Sequence, residues 1–379
     1  MTIIIQLYIV ICIALLAFDI VFLLVKNRKT QVLYPKNTKF EKEIRQEIRF
    51  YENNGAFSEG FLDELPRKLE KVSNLITLIS VIRDDEKMKK IFSRYIFSLV
   101  DEYAKRSQSE RAYYAYVVSL LDYEQASSLV TFTGKFMDFL DSNSIYTFSN
   151  AMNALYHFGQ TNLVLQGLDK VDARGEFYHK KLLIDGLLNG NMNFQEFNPL
   201  VEQRFLTYGP YLQASLLDFF RMNHYDVKEL CMELILDHST EEEVYYTAMR
   251  YFGKYPCPES EQYFLAVLKD PETQWVPQML AIQGLSHADD PETRNVIRSL
   301  ITSRDWYVRV NAAEYLYSHN LSHQEIYQIL SQRDQYADEI LLYCCRDDDE
   351  LSQFISDTIS AFEEQDAREN NLIGKEAIS

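Results

Sequence analysis

The chain has 379 residues, enough for two compact domains or one long repeat array. Hydrophobic residues make up 47% and charged residues 25%, which excludes wholesale disorder, and a net charge of −18 argues against a nucleic-acid backbone as partner. With 12 Gly and 9 Pro the chain is too poor in breakers for a turn-rich all-β fold, and its five cysteines (Cys12, Cys231, Cys257, Cys344, Cys345) lack framework spacing and fit a reducing compartment.

The first predicted element is an apolar run of 23 residues, Ile3 to Val25, with Gln6 and Asp19 as its strongly polar members. At helical rise it spans about 35 Å, enough to cross a bilayer core with some tilt. A cleaved signal peptide would need a basic start and a small-residue cleavage site, and neither is present. Lys26, Arg28, Lys29, Lys36 and Lys39 all follow the run and no Lys or Arg precedes it. The positive-inside rule therefore predicts a single-pass helix at 3–25, its N-terminus outside the cell and the body in the cytoplasm. Residues 26–60 read as a basic juxtamembrane linker that meets anionic lipid, broken at Asn53-Asn54-Gly55. Asp19, about 9 Å from the cytoplasmic end, is a candidate contact to a membrane partner; the competing reading is a tolerated, protonated acid.

Beyond Lys39 the apolar spacing is helical. Ile44, Ile48 and Tyr51 fall at i, i+4, i+7, and Leu62, Leu65, Leu69, Val72, Leu75, Ile76 and Ile79 continue the pattern. Breakers at Gly134, Gly159, Asp172 to Gly175, Gly190, Gly209-Pro210, Pro256 to Pro258, Asp270-Pro271 and Asp290-Pro291 cut the body into helices of roughly 10–20 residues. The predicted class is all-α. Asp270 and Asp290, each before Pro and Glu, read as helix N-caps, and Asp347 with Glu350 reads as a capping box. Residues 61–346 form the predicted array of helical hairpins, and 347–379 a terminal capping helix with an acidic tail.

The C-terminal part repeats. Ile301-Thr-Ser-Arg-Asp305-Trp-Tyr307 matches Leu330-Ser-Gln-Arg-Asp334-Gln-Tyr336 at an offset of 29, and Trp306, Ala312 and Leu316 match Trp275, Ala281 and Leu285 at an offset of 31. A looser copy places Ala248, Tyr251 and Phe252 on Ala312, Tyr315 and Leu316. The segment from Asp305 through Val308-Arg309 and Ala312-Ala313 to Leu316 resembles the second helix of a HEAT repeat. The match covers about 258–346; over 61–257 the array is extended by continuity. The resemblance implies an α-solenoid in which Asp305 and Arg309 tie neighbouring repeats; the 31-residue offset gives Trp275 and Trp306 matching inter-repeat positions. Stacked hairpins of this kind leave an extended concave face. Most of the 26 Tyr then belong to the core, with Tyr307, Tyr315, Tyr317, Tyr245 and Tyr246 as candidate surface anchors.

No phosphate-binding Gly-rich loop, dinucleotide fingerprint, nucleophile elbow or H-E-x-x-H motif is present. His319 and His323 straddle a predicted helix link, Cys344 and Cys345 point about 100° apart on a helix, and Asp347 to Glu350 lacks the glycine and final acid of a calcium loop. The hydroxylases of HEAT-like architecture carry paired His-Glu dipeptides, absent here, and the DNA glycosylases of that architecture present a basic face. The reading is therefore not an enzyme: no catalytic, cofactor-binding or metal-binding residue is assigned. The expected function is a membrane-anchored scaffold for a membrane-associated protein partner, such as a polysaccharide glycosyltransferase of the bacterial envelope. The alternative is an enzyme or small-ligand-binding subunit with a diffuse site on the concave face.

Overall fold

The computed structural model describes residues 37–121 and 129–376, together with Gln6, Leu15 and Phe18. The predicted membrane helix 3–25, Asp19 included, otherwise lies outside the described residues. Among the described residues no helix is long and apolar enough to cross a membrane. The described chain is all-α, with no strand.

The chain divides into two units, Met1–Arg204 and Phe205–Ser379. The first holds α1 (Thr38–Asn54), α2 (Phe61–Leu69), α3 (Val72–Ile82), α4 (Glu86–Phe97), α5 (Val100–Ala104), α6 (Gln108–Ser119), α7 (Leu129–Met137), α8 (Ile145–Phe158), α9 (Thr161–Asp172), α10 (Lys180–Asn189) and α11 (Phe194–Arg204). The second holds α12 (Pro210–Met222), α13 (Lys228–Leu236), α14 (Glu242–Phe252), α15 (Pro258–Lys269), α16 (Trp275–Gly284), α17 (Pro291–Ser299), α18 (Trp306–Ser318), α19 (His323–Leu330), α20 (Gln335–Cys344) and α21 (Asp349–Glu376).

In the first unit α4, α6, α8 and α10 pack one upon the next. Aromatic side chains fill the gaps between them. The Tyr103 and Tyr114 rings stack at 4.7 Å, and Phe132, Phe136 and Phe158 run on from Phe97. A buried phenol must keep a hydrogen bond, and here the helix ends supply the acceptors. Tyr103 Oη donates to the Leu69 carbonyl at 2.9 Å and Tyr114 Oη to that of Ile96 at 3.0 Å. Gly55 and Gly159 end α1 and α8 in the left-handed conformation that glycine adopts without strain.

The second unit is built in two rows. Helices α12, α14, α16, α18 and α20 pack successively on one another, while α13, α15, α17 and α19 each pair with the inner helix that follows. Position explains composition. Helix α18 is enclosed by α16, α17 and α20, and Val308, Val310, Ala312, Ala313, Tyr315 and Leu316 are buried around most of its circumference. Helix α17 meets its neighbours along one stripe and buries Thr293 and Ile297. Small residues set the approach distance: a Cβ on Gly284 of α16 would lie within the buried Phe264 ring of α15. Helix α21 packs on α19 and α20 through buried Ile355, with Phe354 against His323 and Phe362 against Tyr327.

Three boundary expectations are corrected. Gly134 lies inside α7 and does not break it. Buried Phe132 and Phe136 on either side outweigh the roughly 1 kcal/mol helix penalty of glycine. Asp270 terminates α15, and its carboxylate accepts from the Glu272 N–H in a tight turn, so α16 starts five residues later at Trp275. The cap of α21 is Asp348, which accepts from the Leu351 N–H at 3.0 Å. The turn from Cys345 to Asp348 uses Asp347 as a spacer. Asp290, by contrast, accepts from the N–H groups of Glu292 and Thr293 as its spacing predicts.

Candidate interaction surface

The inner-row helices of the second unit run parallel. The first turn of α16 meets that of α18, and Gln283 further along α16 donates to Asn311 of α18 at 2.8 Å. Their N-termini therefore share one edge of the unit, and each brings aromatic side chains there at its first or second position. Trp275 opens α16, Trp306 and Tyr307 open α18, and Tyr336 is second in α20. These four are 38%, 57%, 53% and 66% exposed, unusual for large aromatic groups. The Trp275 and Tyr307 rings stack across the helices at 5.0 Å and 21°, and Trp306 meets Tyr307 edge-on at 5.3 Å. Exposed stacked rings have their apolar faces already pre-organised, which lowers the entropy lost on contact with a partner.

Beneath this edge polar links hold the hairpins in register. Arg309 is buried. Its guanidinium donates to the Ser303 carbonyl and, at 2.7 Å, to Asp334 of the next hairpin, and it lies over the Tyr336 ring. The hydrogen bond from Arg309 holds the Asp334 carboxyl below its ordinary range. Asp334 occupies in its hairpin the place that Asp305 occupies one hairpin earlier. The inter-repeat role expected of Asp305 therefore falls on Asp334: Asp305 precedes α18 as its N-cap residue, makes no side-chain capping bond, and remains exposed.

The tyrosines expected as surface anchors separate into two groups. Tyr307 and Tyr317 are exposed, Tyr317 in the last turn of α18, away from the aromatic edge. Tyr315 and Tyr246 are buried, which corrects their assignment as surface anchors. Tyr315 Oη donates to the Ala288 carbonyl in the link before α17, and burial pushes its phenol up to about 12. Tyr246 Oη donates to Glu242, and half-buried Tyr245 shares a hydrogen bond with Tyr263 at 3.0 Å. Tyr251, aligned with Tyr315 by the repeat, does the same work two steps earlier: its Oη donates to the Tyr225 carbonyl and accepts the Val227 N–H. Replacing Tyr315 by Phe is expected to cost about 1–2 kcal/mol in thermal unfolding, since it orphans a part-buried carbonyl, whereas Tyr307→Phe leaves stability unchanged.

Sequence reasoning missed Tyr336, Asp334 and Arg294. The 29-residue offset already paired Tyr336 with Tyr307 and could have found it. Arg294 had no such signal. It lies on α17 and donates to both Glu325 oxygens, to Asp289 and to the His319 carbonyl, closing the link between α18 and α19.

Asp338, on α20 two residues past Tyr336, has a carboxylate oxygen that is buried without a hydrogen-bond partner. Burial, reinforced by Asp334, raises its carboxyl to about 6; Glu363 and Glu339 add to the effect and Arg333 opposes it. A raised carboxyl favours the fold while protonated, so this contribution is complete below about 3.8 and is lost as the pH rises through 6. Asp338→Asn is expected to raise the thermal midpoint by about 2 °C at pH 8 and to bring no gain at pH 3.5.

Among the described residues no cluster of three or more His, Cys, Asp or Glu is arranged to hold a metal. Cys345 is buried and Cys344 half-buried, and burial raises both thiols to about 11, away from nucleophilic reactivity at neutral pH. No protein-family model matches the chain, and no curated protein matches it.

Proposed function

We propose that the chain is a non-catalytic scaffold: a HEAT-like helical solenoid, held at a membrane by residues 3–25, that binds a protein partner along the aromatic edge of its second unit. The observation that carries this reading is the exposed run Trp275–Tyr307–Trp306, continued by Tyr336 on the next helix. Supporting the repeat reading are the two rows of helices and the equivalent work of Tyr251 and Tyr315. Membrane restriction would raise the effective concentration of a membrane-associated partner, such as an envelope polysaccharide glycosyltransferase, without any further contact. Asp19 would contact that partner's own membrane helix, and the body would face the cytoplasm.

The test is a crosslinked pull-down from native membranes, comparing the full chain, a variant lacking residues 1–30, Asp19→Leu and Trp306→Ala/Tyr307→Ala. One integral membrane protein enriched by the full chain and lost from the edge variant is the expected result. No specific protein enriched by any of them sinks the scaffold reading. Loss with Asp19→Leu assigns the intramembrane contact to that residue; unchanged enrichment removes it.

The alternative of a small-ligand subunit draws on one feature of the first unit. An open groove between α6 and α8 is lined by Gln108, Tyr113, Tyr116, Ser144, Tyr146 and Asn150, uncharged polar groups beside tyrosine rings. Saturable binding of a small molecule by the full chain, abolished by Tyr146→Ala, would move the function there.

A further inference from the structure

Charge is divided sharply between the two units. Residues 1–204 contain 25 Lys/Arg and 25 Asp/Glu, whereas residues 205–379 contain 13 and 31, so the whole net charge of −18 belongs to the second. Along the edge where α14, α16 and α18 begin, Glu241, Glu242, Glu243, Asp270, Glu272 and Asp305 are exposed, with Lys269 and Arg304 as exposed cations among them, Lys269 being paired with Glu292. Arg309 is buried on Asp334, and Arg333 pairs with Asp366 of α21. The exposed rings of Trp275, Trp306 and Tyr307 thus lie on an edge bordered by carboxylates.

We infer that this edge is a docking site for an extended, arginine-rich segment of a partner protein. The inference rests on the scaffold reading and adds the chemistry of what is bound. An aromatic face attracts a cation through its quadrupole, most strongly for Trp, and a guanidinium stacks flat on it where an ammonium does not. The edge already contains one such contact, Arg309 over the Tyr336 ring at 5.5 Å from its centroid. The carboxylates along the rim supply the second part of recognition: they attract the cationic segment over a Debye length and reject acidic competitors. A purely apolar partner would use the rings and leave these carboxylates desolvated without compensation. With packed helices about 8–10 Å apart, the path from α16 to α20 is about 20 Å, which an extended segment covers in about six residues.

The chain has two tryptophans, Trp275 and Trp306, and both are on this edge, so intrinsic tryptophan emission reports on it alone. The full chain in detergent is titrated with a synthetic peptide of about twelve residues alternating Arg and Ser, long enough to overrun the edge, and with its Glu–Ser counterpart. A saturable emission change with the Arg peptide only is expected. The affinity should fall about tenfold between 50 and 250 mM salt, and about fivefold or more in Tyr307→Ala and in Asp270→Asn/Glu272→Gln/Asp305→Asn. The latter changes exposed side chains only, so its fold is expected to be intact. No saturable change, an equal response to the acidic peptide, or full affinity in the carboxylate variant overturns the inference. The pull-down separates it from its parent reading. A membrane partner retained equally by Trp306→Ala/Tyr307→Ala leaves a scaffold whose site lies elsewhere and overturns the assignment of this edge. Loss of the partner from that variant together with the peptide response supports both.

Discussion

Arg294→Ala is expected to destabilise the chain by about 2–3 kcal/mol. A surface ion pair would cost less than about 1 kcal/mol and a fully buried one about 3–5 kcal/mol. The Arg294 and Glu325 side chains are 19% and 12% exposed, which places the pair between these cases. The loss is not confined to one bond, because the guanidinium also holds Asp289 and the His319 carbonyl. The pH dependence gives a second readout. The hydrogen bond from Arg294 holds the Glu325 carboxyl down at about 2, against an ordinary value near 4.5. A depressed carboxyl contributes stability that is complete above about 4.5 and is lost as the pH falls toward 2. Denaturant unfolding of the full chain at pH 7 and pH 3 should therefore show a large gap between parent and variant at the first and a narrowed gap at the second. An unchanged gap would assign the effect of Arg294 to packing and not to charge.

The second large effect is expected at Gly284. In an exposed helix, glycine to a larger residue gains up to about 1 kcal/mol from backbone entropy. Here the new Cβ would enter the Phe264 ring, which is buried and held in place by neighbours, and overpacking of this kind costs about 1–3 kcal/mol. Sterics therefore win: Gly284→Ala should destabilise by about 1 kcal/mol net, and Gly284→Val, with poorer helix propensity and more volume, by about 3 kcal/mol. Phe264→Leu made together with Gly284→Ala should cost less than the sum of the two single changes, because the smaller side chain makes room for the new methyl group. Strict additivity in thermal unfolding would show that the two positions do not share a contact in solution.

How much of this was legible in the sequence depended on whether the signal was local. Helical spacing is local, and the breakers Gly55, Gly159 and Asp290 end or start helices where their chemistry requires. Gly134 and Asp270 failed for the same reason in opposite directions. A glycine between buried phenylalanines is overruled by packing, and an Asp-Pro-Glu sequence caps a helix only if the chain has already left the preceding one. The repeat offset carried further than local pattern. It placed Tyr251 and Tyr315 in equivalent positions, and both donate to a carbonyl in the link before the preceding helix. It could not say which tyrosines are exposed, because burial on the inner row is set by the neighbouring helices. Exposed Tyr307 and buried Tyr315 are eight residues apart on one helix. Arg294 was invisible because Glu325 and the His319 carbonyl are distant in sequence and its own surroundings read as an ordinary solvated helix face.

The hydroxyl of Tyr315 on the Ala288 carbonyl, Arg294 on Glu325 and Arg309 on Asp334 share a property: each spans consecutive hairpins of the second unit. Mechanical load would divide along the same lines. Tension applied at the C-terminus first meets α21, then the α19–α20 hairpin, and each rupture would release a hairpin of about 30 residues, or roughly 100 Å of chain. The force–extension record expected of such a unit is a staircase, with one tread for each hairpin released.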